Sequence, residues 1–546
     1  MTRVVIAEKP SVARDLARAL GAKEKAEGYL HGNGYTVTWA IGHLVALAEP
    51  HEINPAWKRW RAEDLPILPE RWPLKVLAKT RKQFTIVKRL LTAKATTEVI
   101  CATDAGREGE LIFRYVQEQA GCRKPVRRLW ISSLTPEAIR DGFARLRDGA
   151  AFDALADAAR GRSRADWLVG MNLSRVYTLQ SGEAVSVGRV QTPTLSLLVD
   201  REQEIAAFVP EDYLEVVASF RPTGAEGVYV GTYFDPERVP KKRADGEVDT
   251  STRLPAEGPR AAEIAARALR GAAVITSIDR ATRRIPPPLL YDLTELQRHA
   301  NRLYGYSAKQ TLDAAQKLYE RHKLISYPRT DSRHLSRDVA ATLPELVEGP
   351  AAAERAIDPA RVAPGTGERP LGPRFVDDAR VTDHHAILPT RKRPTKLDPD
   401  SIEGRLYELI CRRLLAAWHD DHVYATTTVI NEIKSDGPEG PIVDHYRSRG
   451  REVCQVGWKI LDPTPLRARK RGRAKDEDDD DSGEPALPVG LAKGQPQDVI
   501  DARSVAKRTR PPPRFTESTL LTAMETAGKT LEDRELADAM RERGLG

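Results

Sequence analysis

The run Val4-Val5-Ile6-Ala7 is short, apolar and β-branched, and it reads as a buried strand. Glu8 and Lys9 follow at once. Pro10 then stands where a first helical turn tolerates it, Val12, Ala13, Leu16 and Leu20 repeat at helical spacing, and Gly21 closes the helix as a cap. The pattern recurs near residue 100. Val99 to Ala102 reads as a second buried strand, Asp104 follows, and Leu111, Ile112, Tyr115 and Val116 form a helical stripe. Buried strands that each run into a helix restrict this part of the chain to an open α/β sheet. Ligands of such sheets bind at the carboxyl ends of the strands, where both acidic clusters are placed.

The rest of the chain divides less sharply. Residues 150–205 read as mostly helical. From 212 to 282, strand-like pieces such as Tyr213 to Ser219 alternate with polar loops. Ser307 to His322 reads as a helix, with Ser307 as N-cap and Leu312, Ala315, Leu318 and Tyr319 on one face. Residues 349–373 read as a surface loop, 403–418 as a helix, and strands resume after that. At roughly 150 residues per domain, 546 residues make three or four domains. Lys and Arg number 86 against 78 Asp and Glu, a net +8 that is compatible with a polyanionic partner but on charge alone favours an ordinary basic cytosolic protein. The basic run Arg467 to Lys475 is cancelled by six acids, Asp476 to Asp481, and reads as a self-neutralising loop. Cys101, Cys122, Cys411 and Cys454 lack the spacing of a zinc knuckle, and a reducing cytosol is expected. No apolar run approaches the ~18 residues of a membrane helix, and the N-terminus does not read as a signal peptide.

Four segments could carry chemistry. Asp104-Ala105-Gly106-Arg107-Glu108-Gly109-Glu110 could hold a hard cation such as Mg²⁺, with Arg107 on a phosphate; it equally reads as a helix start with capping acids. Glu8 and Lys9 at the neighbouring junction turn the set towards phosphoryl transfer. In Ile325-Ser326-Tyr327-Pro328-Arg329-Thr330-Asp331-Ser332, Tyr327 could act as a covalent nucleophile with Arg329 stabilising charge, although it is one of 15 tyrosines. In Asp383-His384-His385-Ala386-Ile387 the adjacent histidines point apart, which suits a phosphate contact by one of them better than a shared metal. Ser186-Val187-Gly188-Arg189-Val190-Gln191-Thr192-Pro193 reads as a helix-start loop able to approach a nucleic-acid backbone. There is also an internal echo. Pro286-Pro287-Pro288 precedes Asp292, Thr294 and Leu296 at the offsets at which Pro511-Pro512-Pro513 precedes Glu517, Thr519 and Leu521.

Taken in chain order, Ala7-Glu8-Lys9-Pro10-Ser11, then Thr103 to Glu110, then Ser186 to Pro193, then Ile325 to Ser332, then Asp383 to Ile387, these segments resemble the bacterial type IA DNA topoisomerases, and most closely the topoisomerase III branch. The resemblance runs from residue 3 to the last residue. It implies a multidomain fold of α/β plus α and β parts, in which a Toprim (Rossmann-like) domain joins a toroidal arch containing winged-helix-like helical domains. The implied divisions are 1–150 for the metal-binding Toprim domain and 151–210 with 505–546 for a helical arm. The β-rich arch takes 211–282 with 415–504, and 283–414 carries the nucleophilic tyrosine. Tyr327 matches the nucleophile that forms a 5′-phosphotyrosyl link, and Arg329 the arginine beside it. Glu8 matches the acid that protonates the leaving 3′-oxygen, and Lys9 a lysine near the scissile phosphate. Glu8, Asp104 and Glu108 match the Mg²⁺ acids. Ser186, Val187, Gly188, Arg189, Val190, Gln191, His384 and Trp60 match DNA-contacting positions. The implied enzyme relaxes negative supercoils or decatenates DNA by passing single strands. It needs no ATP, and no P-loop Gly-Lys-Ser/Thr motif is expected. It is expected to be a monomer in the cytoplasm, at the nucleoid and off the membrane.

Two departures stand out. Many relatives carry an Asp where this chain has Gly106, so Mg²⁺ is expected on Glu8 and Asp104 with Glu108 nearby. Glu535 to Gly546 resembles the family segment before a Thr-Pro-Ala-Thr-Arg stretch, so the arm is expected to be cut short. This motivates an alternative, a truncated and catalytically impaired relative that grips single-stranded DNA. Another Toprim enzyme, such as a primase or nuclease, would leave the Tyr327 segment unexplained.

Overall fold

The computed structural model describes residues 2–224, 226–238, 241–242, 248–249, 251–351, 358–381, 384–438, 440–463, 485–530, 540 and 544–545. Thr2–Ala7 is an inner strand of a seven-stranded sheet, and Val4, Val5, Ile6 and Ala7 are all buried there. It pairs in parallel with Tyr35–Trp39 on one side and Thr96–Ala102 on the other, and Val126–Arg128 extends the parallel set. Antiparallel strands finish both edges. The helix Pro10–Leu20 starts on Pro10 and ends at Gly21 with φ 76°, as the sequence predicts. The helix Arg107–Ala120 follows the second strand and buries Leu111, Ile112, Tyr115 and Val116.

Two long helices come next, Asp153–Ser181 and Gln191–Ala207. A second sheet is antiparallel and closes on itself. Tyr229–Phe234, Gly440–Gln455, His422–Gly437, Ala272–Ile285, Pro496–Arg508 and Asp212–Pro222 follow one another, and the last pairs back with the first. Closure removes free edges. The helix Arg260–Arg270 packs Ala261, Ile264, Ala265 and Ala268 into this barrel's core. The expectation of strands and loops over 212–282 missed it, because its apolar face is mostly alanine between charged residues.

The tyrosine-bearing region is inserted between two adjacent barrel strands, and its two ends meet at the register pair Ile285 and His422. It contains the helices Leu293–Tyr304, Ala308–Lys317 and Ile402–Ala416. Ser307 caps its helix through a capping box with Gln310. The helix expected to run to His322 changes at Leu318 into a five-residue π-turn, Leu318–His322. Leu343–Ala351 is helical where the loop over 349–373 was expected to begin. One apolar cluster runs unbroken from Val5, Leu16 and Ile139 of the first sheet into Leu296, Leu318, Ile325 and Leu388 of this region.

The two halves of the proline echo meet in space. Leu293–Tyr304 is capped by Asp292, Glu517–Glu525 by Thr516, and the two helices pack together. The residue offsets are the same, but the second helix is capped one position earlier in its run than the first. Gly528-Lys529-Thr530 lies in the turn Ala527–Thr530, which follows a helix and does not join a strand to one, so it is no P-loop. The charge run 467–481, Asp383 and most of 535–546 lie outside the described residues.

Candidate active site

Register explains how the two acidic junctions meet. Ala7 pairs with Ala102 across parallel neighbours, so Glu8 and Asp104 emerge side by side from adjacent strand ends. The Asp104 N–H donates to Glu8 Oε2 at 3.4 Å. The third parallel strand supplies Arg128, whose side chain is 1% exposed. Its guanidinium donates to the carbonyls of Cys101, Thr103 and Asp104 at 3.2, 2.8 and 2.8 Å, and pairs with Glu110 at 3.1 Å. Arg114 holds the other oxygen of Glu110 at 2.8 Å. The helix Arg107–Ala120 approaches this junction so closely that a Cβ on Gly109 would lie 2.0 Å from the Asp104 carbonyl oxygen.

The tyrosine segment lies across the same edge. Ser326 N donates to the Leu388 carbonyl at 2.8 Å, and Tyr327 N to the Ser132 carbonyl at 2.8 Å. The Tyr327 hydroxyl faces the Asp104 carboxylate closely enough for each to shift the other's titration. Its ring lies 4.4 Å from the His384 ring and 5.4 Å edge-on from Tyr319. His384 Nε2–H donates to the Ala105 carbonyl, which leaves Nδ1 to accept from the Ser132 hydroxyl at 3.0 Å. Burial holds His384 down to about 4, so the ring is neutral at physiological pH. Arg329 donates two hydrogen bonds to the Gln316 amide oxygen, at 3.0 and 2.8 Å with that amide turned so that its oxygen faces the guanidinium, and the guanidinium lies 4.0 Å from Glu108. Lys9 Nζ pairs with Glu320 in the π-turn at 2.5 Å.

Charges crowd this pocket. Burial, and then the negative charge of Asp104, push Glu8 up to about 7. Burial also raises Asp104, against the pull of Lys9. Burial draws Lys9 down, but its hydrogen bond to Glu320, backed by Asp104 and Glu8, leaves it raised. Burial raises the Tyr327 phenol well above its ordinary value, and Asp104 and Glu8 add to the rise. The Tyr327 phenol is therefore protonated at rest, beside two carboxyl groups.

The structure thus gathers Glu8, Lys9, Asp104, Tyr327, Arg329 and His384. Glu108 stands at the rim, 66% exposed, where a hydrogen bond from His43 at 3.4 Å lowers it. Among the described residues, no three His, Cys, Asp or Glu side chains converge as a metal cluster. Glu8 and Asp104 form a two-carboxylate site. This suits Mg²⁺, which commonly takes one or two carboxylates and completes its shell with water and substrate phosphate. Gly106 is extended, at φ 169°, a conformation open to any residue.

Ser186 to Gln191 leads into the helix Gln191–Ala207. Val187 N donates to Ser174 Oγ at 2.9 Å, Gly188 N to Thr192 Oγ1 at 3.0 Å, and Gln191 Nε2 to Ser186 Oγ at 3.1 Å. Arg189 pairs with Asp166 at 2.5 Å. Arg162 is held below its ordinary range by burial, and then by Arg189 and Arg107, so these three cations share a neighbourhood. Trp60 is half-exposed beneath the Arg175 guanidinium, away from the tyrosine cluster. Sequence reasoning missed Arg128, Glu320, Ser132 and Gln316, and it read Glu110 as a cation or capping acid where the structure gives it to Arg128 and Arg114. Only Arg128 left a trace, as a charged residue ending a short parallel strand.

Comparison with known proteins agrees with this geometry. The family model described as DNA topoisomerase matches residues 150–546, and the Toprim domain model matches residues 3–134. The chain is 40% identical over 539 residues to DNA topoisomerase 3 of Shouchella clausii, covering 98% of this chain and 68% of that protein. It is 40% identical over 533 residues to DNA topoisomerase 3 of Bacillus subtilis, covering 97% and 68%. Its fold is similar to that of topoisomerase I from Thermotoga maritima. The TM-score is 0.64 at 22% identity, over 96% of this chain and 75% of that one.

Proposed function

The chain belongs to the type IA DNA topoisomerases, with topoisomerase 3 proteins as its relatives, and on that premise we propose that Tyr327 is its nucleophile. The observation that carries this reading is the seat of Tyr327. Of the 15 tyrosines, this one has its hydroxyl facing Asp104, its ring against His384, and Arg329 two residues on. Tyr327 Oη attacks the scissile phosphorus, the Oη–P bond forms, and the P–O3′ bond breaks. The phenolic proton passes to Asp104, and Glu8 delivers a proton to the leaving 3′-oxygen. Lys9 and Arg329 stabilise the charge that develops on the phosphate. His384, neutral and fixed in one tautomer, braces the tyrosine ring. The phosphotyrosyl bond conserves the energy of the broken diester, so resealing runs the same steps backwards without ATP.

Toprim domains bind metal, and we assign Mg²⁺ here, held by Glu8 and Asp104 with Glu108 at the rim. When bound, the ion supplies positive charge against the phosphate. We further assign Ser186 to Gln191 and Trp60 to contacts with single-stranded DNA, in a monomer acting in the bacterial cytoplasm on negatively supercoiled or catenated DNA. Among the described residues, no helix is long and apolar enough to cross a membrane. The domain divisions 1–150, 151–210 with 505–546, 211–282 with 415–504, and 283–414 are proposed with this reading. The alternative of a catalytically impaired binder is not favoured, because Glu8, Lys9, Asp104, Tyr327 and Arg329 all assemble at one edge.

The test is incubation with a single-stranded oligonucleotide and Mg²⁺. A covalent protein–5′-DNA adduct is expected from the parent and none from Tyr327→Phe. An equal adduct yield from Tyr327→Phe overturns the assignment.

A further inference from the structure

The reaction centre is shared between two parts of the fold, and a passing strand requires them to separate. Beside the apolar cluster and the bonds that Tyr327 and His384 make to the first sheet, two of the ion pairs that join them come from one turn. The π-turn Leu318–His322 ends on Lys323, which has φ 59°. Among the described residues only Asn33 is a second non-glycine with positive φ, a conformation that costs a lysine free energy. Surrounding bonds impose it. Leu324 N donates to the Leu318 carbonyl at 2.9 Å, Thr390 Oγ1 to the Lys323 carbonyl at 2.7 Å, and Lys392 Nζ to the His322 carbonyl at 2.8 Å.

The turn has an electrostatic result. Lys323 Nζ reaches Asp15 on the helix Pro10–Leu20 at 2.5 Å, and both side chains are largely sheltered, at 14% and 20% exposure. Three residues earlier, Glu320 takes Lys9 from the junction preceding that helix. The two ion pairs run in opposite polarity, lysine to glutamate and aspartate to lysine. A slip along the turn would bring like charges together. Lys9 belongs to the reaction centre, whereas Asp15 and Lys323 do not touch it.

We propose that the Asp15–Lys323 pair is a gate latch: it sets how readily the tyrosine-bearing region parts from the first sheet for strand passage, without taking part in cleavage. This rests on the topoisomerase reading above. A sheltered ion pair breaks as a unit, so loss of either partner should release the gate, and loss of both should release it no further.

The test is a double-mutant cycle on the whole chain, with Asp15→Asn, Lys323→Gln and the double variant. Two quantities are read: adduct yield on a short single-stranded oligonucleotide, and the fraction of time the cleaved complex stays open on a single strand held under constant force. Expected are parental adduct yields and an open fraction raised about fivefold in each single variant, with the double variant matching the singles. An unchanged open fraction at parental adduct yield overturns the latch, and so do additive effects in the double variant. Failure of the parent itself to form an adduct sinks the functional reading, and the latch falls with it.

Discussion

Replacing Gly109 by alanine should cripple cleavage although residue 109 touches no substrate. A Cβ there would stand 2.0 Å from the Asp104 carbonyl oxygen and 2.9 Å from its carbonyl carbon. Carbon and oxygen settle at about 3.3 Å or more, so helix and junction must part by more than about 1 Å. The junction cannot give easily, because the Arg128 guanidinium grips that same oxygen at 2.8 Å and the buried Glu110 fixes the guanidinium. Displacement therefore reaches the Asp104 carboxylate, which faces the Tyr327 hydroxyl. A misplacement of about 1 Å at a reacting group costs on the order of 100-fold in rate, and overpacking costs about 1–3 kcal/mol in stability. The assay is single-turnover adduct formation beside a thermal melt. Expected is a rate lowered about 100-fold, with a melting temperature a few degrees down. Gly161 provides the control. It is exposed on the helix Asp153–Ser181, and its Cβ would meet nothing within 4 Å. Gly161→Ala should stabilise by about 0.5–1 kcal/mol and leave the rate alone. Parental cleavage by Gly109→Ala would refute the close-packing argument.

Two further predictions concern buried charge. Arg128→Met should destabilise by about 3–5 kcal/mol, since it strips an ion-pair partner from Glu110 and a donor from four carbonyls; denaturant unfolding that shifts by less than about 1 kcal/mol would contradict this. Asp292 caps the helix Leu293–Tyr304, and burial pushes its carboxyl up to about 6. A carboxylate raised on folding costs stability as pH climbs from its unfolded value near 4 through 6, and the cost is constant above that. Asn caps as well without the charge, so Asp292→Asn should gain about 1–2 kcal/mol at pH 8 after allowance for solvent screening. The gain should fade below pH 5, and a gain independent of pH would speak against burial as the cause.

The first sheet was legible because Val4 to Ala7 and Val99 to Ala102 are buried on both faces and so contain no polar alternation to confuse the reading. The adjacency of Glu8 and Asp104 followed from strand ends alone. The seat of Tyr327 was not legible from local pattern. It depends on Ser132 and Glu320, ordinary polar residues whose meaning comes from contacts more than a hundred residues apart, and on Gln316, which reaches Arg329 only once the chain has turned back after its helix. The Arg260–Arg270 helix was lost because alanine marks a buried face weakly.

The insertion of the tyrosine-bearing region has a mechanical consequence. Both of its ends leave the barrel at the single pair Ile285 and His422. A pull on the covalently held strand therefore loads the end of the ladder between Ala272–Ile285 and His422–Gly437, peeling one bond at a time where shear would load many together. The fork is riveted there. The Trp458 indole donates to the Ile285 carbonyl at 3.0 Å, and His422 Nδ1 bonds the Val456 carbonyl at 3.0 Å. Tension is thus borne by a few side chains at one corner, and the rest of the barrel stays unstressed as the region turns about that point.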